Sequence, residues 1–308
     1  MRITSPMVQS AYRESKMLFQ FPEPYPGECL YSILCRFHNR SANRTPMASM
    51  EQLFGKRKSL RNTLYSPAAL EYADSWFQES AVMSADYLRN NHTMINFAAS
   101  VGKGRGYKIT IDNKTKHYYY FSNALLYHGK KLRYCPSCAR AQKKLYGEPY
   151  WQMLPQIEGV EICPVHGEVY RESTVGISEI SYRFYPASLV LMEEGNEDDI
   201  PVNLDAITEN LDMYQTVSRE SDWILHNGSK CVARESDRII QYFKKTLTTF
   251  DIEFLKFNIE KIGLDTDIVN ELNSLVMYIV YLITSQQYIY LISSMFGSID
   301  RFNKSISN

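Results

Sequence analysis

A chain of 308 residues with 44% hydrophobic and 13% aromatic content can bury a sizeable core in two domains, which excludes a disordered protein. Its formal net charge of zero hides a division: residues 1–150 carry 22 Lys+Arg against 10 Asp+Glu (+12), and residues 151–308 carry 12 against 24 (−12). A basic half joined to an acidic half points to a polyanion on one side and a different partner on the other.

The opening Met1-Arg2-Ile3-Thr4-Ser5-Pro6 lacks the apolar run of a signal peptide, and residues 1–20 read as a flexible arm. Phe21-Pro22-Glu23-Pro24-Tyr25-Pro26 is an extended lead-in, because each proline biases its predecessor away from helix. A helix is predicted from near Glu28, with Leu30, Ile33, Leu34 and Phe37 on one buried face. Cys29 and Cys35 lie six apart on it, a spacing that suits packing and not chelation. Thr45-Pro46 marks a second helix ending at Gly55, and Ser66-Pro67 a third running through Leu70 to Trp76. Three short helices with tight turns fit a helix-turn-helix-type module or a plain helical bundle.

Basic clusters follow at Lys56, Arg57, Lys58 and Arg61; at Lys103 and Arg105; at Lys130, Lys131 and Arg133; and at Arg140, Lys143 and Lys144. With few acids among them, they are the candidate contacts to the backbone of double-stranded DNA. His92 reads as a packed or capping residue. Tyr107–Ile111 and His117–Phe121, flanking Asp112-Asn113-Lys114, read as a β-hairpin.

Cys135-Pro136-Ser137-Cys138 and Cys163-Pro164-Val165-His166 form two pairs of x2 spacing, 24 residues apart. Three thiols and an imidazole make a closed tetrahedral set without an open position for water, so Cys135, Cys138, Cys163 and His166 are expected to hold one structural Zn2+ in a zinc ribbon spanning 133–167. Trp151 and Tyr146 are expected to pack that ribbon against the N-terminal helices. With three cysteines committed, Cys29, Cys35 and Cys231 are left as free thiols, a pattern that suits a reducing cytosol.

Tyr182 to Met192 is expected to supply one or two strands. The acidic stretch from Glu193 to Pro201 is the candidate linker between a 21–192 domain and a helical 202–308 domain. Within the latter, Leu204, Ile207, Leu211 and Tyr214 share one helical face, and Ile239, Ile240, Phe243 and Leu247 another; Ile252–Ile262 and Ile268 to about Met295 complete it. Leu275–Ile283 is apolar but is interrupted at Thr284-Ser285-Gln286-Gln287, well short of a membrane span. No catalytic constellation emerges: Glu194, Asp198 and Asp199 sit in a mutually repelling loop, and neither a Walker lysine nor His-Glu-x-x-His is present. The expectation is a binding protein, not an enzyme. The fold class is mainly α with a small β component: helix-turn-helix-like helices, the Cys3His ribbon and a C-terminal helical domain.

The string Tyr134-Cys135-Pro136-x-Cys138, then Tyr146-Gly147-Glu148-x-Tyr150-Trp151, then Gly159-Val160-x-x-Cys163-Pro164-x-His166-Gly167 resembles the signature of the TniQ/TnsD family of transposon target-site selection proteins. Pro26-Gly27-Glu28-Cys29-Leu30-Tyr31-Ser32-Ile33-Leu34-Cys35-Arg36 is similar to that family's opening helix. One departure is visible: where the family usually carries His-Gln before the glycine–valine pair, this chain has Pro155-Gln156. The resemblance covers about residues 21–170. It implies a DNA-binding target-site selector that recruits an AAA+ ATPase, which in turn attracts a transposase. It is also compatible with an adaptor delivered by a CRISPR RNA-guided complex that reads no sequence itself. A zinc-containing transcription regulator is the third reading.

Overall fold

Helix starts in this chain are set by capping side chains and prolines. The computed structural model describes residues 21–55, 57, 59, 60, 63, 84–101, 106–111, 114–119, 131–193, 204–234 and 236–307. The first helix, α1 (Leu30–Arg40), buries Leu30, Ile33, Leu34 and Phe37, but also Tyr31, Ser32, Cys35 and Arg36. It is enclosed nearly all round instead of on one face, which makes it the central rod of the N-terminal half. Helix α2 (Pro46–Phe54) begins with the Thr45 hydroxyl accepting from the Ala48 N–H at 3.2 Å and Pro46 at its first position. It ends at Gly55, whose φ of 65° closes the helix with an N–H donated to Glu51 O. The third expected helix lies outside the described residues, so a helix-turn-helix is described only as far as α1 and α2. The expected arm at 1–20 and, beyond Glu193, the expected linker also lie outside them.

Helices α3 (Ala85–His92) and α4 (Ile95–Val101) follow. Strands β1 (Gly106–Ile111) and β2 (Lys114–Tyr119) pair antiparallel with Ile111 opposite Lys114. The hairpin is therefore tighter than the sequence suggests, its second strand starting at Lys114 and not at His117. Strand β3 (Lys131–Tyr134) leads into helix α5 (Pro136–Tyr146) and pairs antiparallel with β4 (Arg171–Gly176). The strands expected between Tyr182 and Met192 are absent; that stretch instead leads into helix α6 (Ala187–Glu193). Ser188-Leu189-Val190-Leu191-Met192 is too short for periodicity to separate strand from helix. Pro186, whose carbonyl accepts from Leu189 and Val190, settles the choice.

The C-terminal half is helical among its described residues: α7 (Leu204–Glu209), α8 (Leu211–Asn227), α9 (Asp237–Thr246), α10 (Ile252–Lys261), α11 (Leu272–Met277), α12 (Ser285–Phe296) and α13 (Ile299–Ser307). The face expected to join Leu204 to Tyr214 is broken between α7 and α8; Ile207 is buried while Leu204 and Leu211 are exposed. The polar run at Thr284–Gln287, read as an interruption, is a capping box. The Gln287 N–H donates to Thr284 Oγ1, and the Thr284 N–H to Gln287 Oε1. No helix among the described residues is long and apolar enough to cross a membrane.

The two halves share one hydrophobic core. Buried Arg234 bridges them. Its guanidinium donates to Ile279 O and Ile283 O in the C-terminal half, and to Val101 O at the end of α4. Those carbonyls belong to residues at or near helix ends, where a cation is favoured. A second junction is Gly159 (φ +72°), where an added Cβ would stand 2.0 Å from Gln286 Nε2 of α12. The backbone angle favours glycine, and a side chain there would also have to displace the Gln286 amide. Gly159→Ala is expected to cost about 1–3 kcal/mol, through overpacking and strain together. A urea melt with an unchanged midpoint would show that α12 does not need this approach.

Candidate metal centre and the basic surface beside it

The centre is assembled by a strand end, a helix start and a tight loop. Strand β3 delivers Cys135 in an extended conformation as the N-cap of α5; Pro136 takes the first helical position and Cys138 the first turn, with its N–H donating to Cys135 Sγ. Both thiols thus project from the same turn. The second pair lies on a loop clamped by the Ile162–Val169 bridge. There the Cys163 N–H donates to Glu168 O and the Gly167 N–H to Cys163 O, both at 2.8 Å. Gly167, at φ +68°, turns the chain and brings His166 back over Cys163.

All four ligand atoms lie within 4.8 Å of one another. His166 Nδ1 is 3.5 Å from Cys135 Sγ, 3.3 Å from Cys138 Sγ and 3.6 Å from Cys163 Sγ, and Cys138 Sγ is 3.6 Å from Cys163 Sγ. Metal–sulfur bonds of about 2.3 Å and metal–nitrogen bonds of about 2.0 Å in a tetrahedron give edges of about this length, so the donor set fits a single ion. Hydrogen bonds from Cys135 and Cys138 pull the Cys163 thiol far down, while the hydrogen bond with Cys138 holds Cys135 far up. Three thiolates this close repel one another, and a divalent cation among them supplies the reason to ionise all three. Outside the four ligands, Glu168 ties the second loop to the start of α5 by accepting from Ser137 N–H and Oγ. The centre is less a ribbon than a helix start facing a tight loop.

Trp151 is fully buried. Its backbone joins α1, accepting from Cys29 N–H and donating to Ser32 Oγ, and its indole donates to Tyr185 O at 2.7 Å. Tyr146 stacks on Tyr25 at 4.5 Å between ring centroids. Trp151 therefore fastens the metal module to the start of α1, as the sequence suggests, whereas Tyr146 meets the segment that leads into that helix.

A network that the sequence reading missed lies next to them. Glu28 accepts from Ser32 Oγ at 2.8 Å, Arg36 Nη1 at 2.8 Å and Tyr25 N–H at 2.9 Å. Arg36 Nε donates onward to Glu148 Oε1 at 2.9 Å, which also takes Arg40 Nη2 and the Tyr25 hydroxyl. Burial pushes the Glu28 carboxyl up to about 7 against the pull of Arg36. The signal was available: Glu28, Ser32, Arg36 and Arg40 are polar residues four apart beside an apolar helical stripe. His92 Nδ1 lies 2.7 Å from Glu28 O, in a packed position, and Cys29 and Cys35 are buried in the core. Gln156 occupies the free side of β3: its Oε1 accepts from Arg133 N–H and its Nε2 donates to Arg133 O.

The basic residues divide. Lys131, Arg140, Lys143 and Lys144 are exposed, the last three on α5, where only Gln142 is buried. Arg57 is exposed and stacks over Tyr182. Arg133 is a correction: it is 1% exposed, with its guanidinium donating to Pro155 O, Ile157 O and Glu161, so it supports the fold and faces no outside phosphate. Lys56, Lys58, Arg61, Lys103, Arg105 and Lys130 lie outside the described residues.

Residues 19–169 match the TniQ family model. Over 159 residues the chain is 26% identical to the Transposon Tn7 transposition protein TnsD of Escherichia coli, a match covering 48% of this chain and 30% of that protein. The match thus spans less than a third of the curated relative's length, and the family match ends within the metal module that follows the N-terminal helices.

Proposed function

This chain belongs to the TniQ family, and from that premise we propose that it is a DNA-binding target-site selector of a transposon, holding duplex DNA through its N-terminal half and recruiting an AAA+ transposition regulator to the insertion site. The observation that carries this reading is α5. A cluster fit for one metal ion fixes its first turn, and Arg140, Lys143 and Lys144 stand exposed along it. Three thiolates and an imidazole in a closed set select zinc, which supplies structure and leaves no position for a reacting water. The basic N-terminal half supplies counterion release, and the acidic C-terminal half is left for protein partners.

The test is fluorescence anisotropy of the full chain with a random duplex between 50 and 200 mM salt. Wild type is expected to bind with steep salt dependence. Replacing Arg140, Lys143 and Lys144 with alanine is expected to lower the slope by about 0.9 for each phosphate that is no longer neutralised, on all duplexes alike. Should the wild-type chain ignore duplex DNA even at the lowest salt, direct recognition is wrong. The reading that replaces it is an adaptor carried to its target by a CRISPR RNA-guided complex.

A further inference from the structure

The loop that follows β4 carries residues assigned no role so far. The Tyr31 hydroxyl on α1 donates to Arg183 O at 3.0 Å and accepts from the Tyr185 N–H at 3.0 Å. Phe184, between them, is buried and stacks on His38 at 4.5 Å. One buried tyrosine thus pins the loop's backbone at two points on α1, and a ring stack anchors its middle. The two residues before Phe184 face outward: Tyr182 is 46% exposed, and Arg183 is exposed.

Across this loop lies Arg57, just beyond the end of α2. Its guanidinium carbon sits 4.1 Å from the centre of the Tyr182 ring, within cation–π range, and its side chain is exposed. Tyr182 thus carries one guanidinium stacked on its ring, from a residue 125 positions earlier in the sequence, and is followed in the chain by a second exposed arginine. The Arg183 guanidinium reaches the Tyr185 hydroxyl at 3.2 Å, and that hydroxyl lies 3.3 Å from Glu179 Oε2. Glu179 is the acid facing this group; it is met through the tyrosine hydroxyl.

We propose that Arg57, Tyr182 and Arg183 form a clamp for a phosphodiester backbone, extending the nucleic-acid surface from the N-terminal helices onto the loop after the metal module. The chemistry is that of two planar guanidinium forks on one exposed face, each able to hold a phosphate by paired hydrogen bonds, with the Tyr182 phenol beside the first as a further donor. Because the loop is latched to α1, little ordering is required when a phosphate arrives. The inference rests on the nucleic-acid-binding reading above and adds Tyr182 and Arg183, which none of the basic clusters in the sequence contains. Duplex DNA and an RNA strand offer the same phosphate chemistry, and the assay below separates them.

The experiment uses the full chain and two probes of equal length, a random duplex DNA and a single-stranded RNA, titrated by anisotropy at 50, 100 and 200 mM salt. Arg183→Ala and Tyr182→Ala are compared with Arg183→Lys and Tyr182→Phe, with melting midpoints checked for each. Arg183→Ala is expected to weaken binding about three- to tenfold and to reduce the salt slope by about 0.9. Arg183→Lys is expected to keep most of the slope, because a lysine still neutralises one phosphate, while losing some affinity with the fork. Loss on the duplex alone, on the RNA alone or on both supports the clamp and names its polymer. The proposal is overturned if wild type binds a probe and both alanine variants bind it with unchanged affinity and slope at an unchanged melting midpoint. If wild type binds neither probe, the nucleic-acid reading of the whole N-terminal half falls, and the clamp with it.

Discussion

Cys138→Ser is expected to yield little folded, soluble protein and no bound metal. The wild-type chain is expected to carry about one zinc by elemental analysis. The effect is large because the module has little else to stand on. Strand β3 has four residues and β4 six, and an isolated two-stranded sheet is marginal in water. The loop from Cys163 to Gly167 is held by a few backbone hydrogen bonds and by whatever its ligands grip. In such modules zinc affinity is folding free energy, on the order of 10 kcal/mol. Because Trp151 joins this module to α1 and Gln286 meets it at Gly159, its loss is expected to spread into both halves. A strong chelator added to wild type should lower the melting midpoint in the same way. A metal-free preparation with an unchanged melt would sink the assignment.

The second large effect is expected at Arg36. Replacing it with alanine leaves Glu28, itself 0% exposed, without its charged partner, and breaking a buried pair on one side costs roughly 3–5 kcal/mol. The pH dependence has a definite sign. Burial raises the Glu28 carboxyl from 4.5 to about 7, so between those values the folded chain keeps a proton that the unfolded chain releases. Its contribution is therefore most favourable below pH 4.5 and is lost as pH rises towards 7, by on the order of 3 kcal/mol. Without Arg36 the carboxyl rises further and the loss continues above pH 7. Glu28→Gln should flatten this part of the profile. Urea melts of wild type, Glu28→Gln and Arg36→Ala from pH 5 to 8 make the comparison, and parallel profiles for all three would contradict the account. Metal release at the acid end affects all three chains alike, so the differences between them carry the result.

The cluster of Cys135, Cys138, Cys163 and His166 was legible in the sequence because x2 spacing is a local rule: a Cys-Pro turn at a helix start or a Cys-Pro-x-His-Gly loop places its own pair. Helix α2 was legible for the same reason, since Thr45, Pro46 and Gly55 each act within one turn. What was not legible depends on distant partners. Arg133 reads as one more cation in a basic cluster, and only the fold reveals that Pro155, Ile157 and Glu161 surround it. Leu189, Val190 and Leu191 have the composition of a strand and take the helix that Pro186 starts. The run at Thr284–Gln287 looks like broken hydrophobicity because a capping box and a polar loop share a vocabulary. Tyr182 carried no signal, because Arg57 is brought to its ring by folding alone.

Gln156 has a further consequence for β3. A two-stranded sheet leaves each strand one bare side, whose N–H and C=O groups invite another chain to add a strand there. On the side of β3 away from β4, the Gln156 amide donates to and accepts from Arg133, the pairing that a third strand would otherwise make. A primary amide is the side-chain group that offers donor and acceptor together in the geometry of a peptide, and neither a carboxylate nor a hydrocarbon can replace it. Gln156, next to Pro155, is therefore a side-chain cap on that edge: where Arg133 would pair with a third strand, its N–H and C=O are already taken.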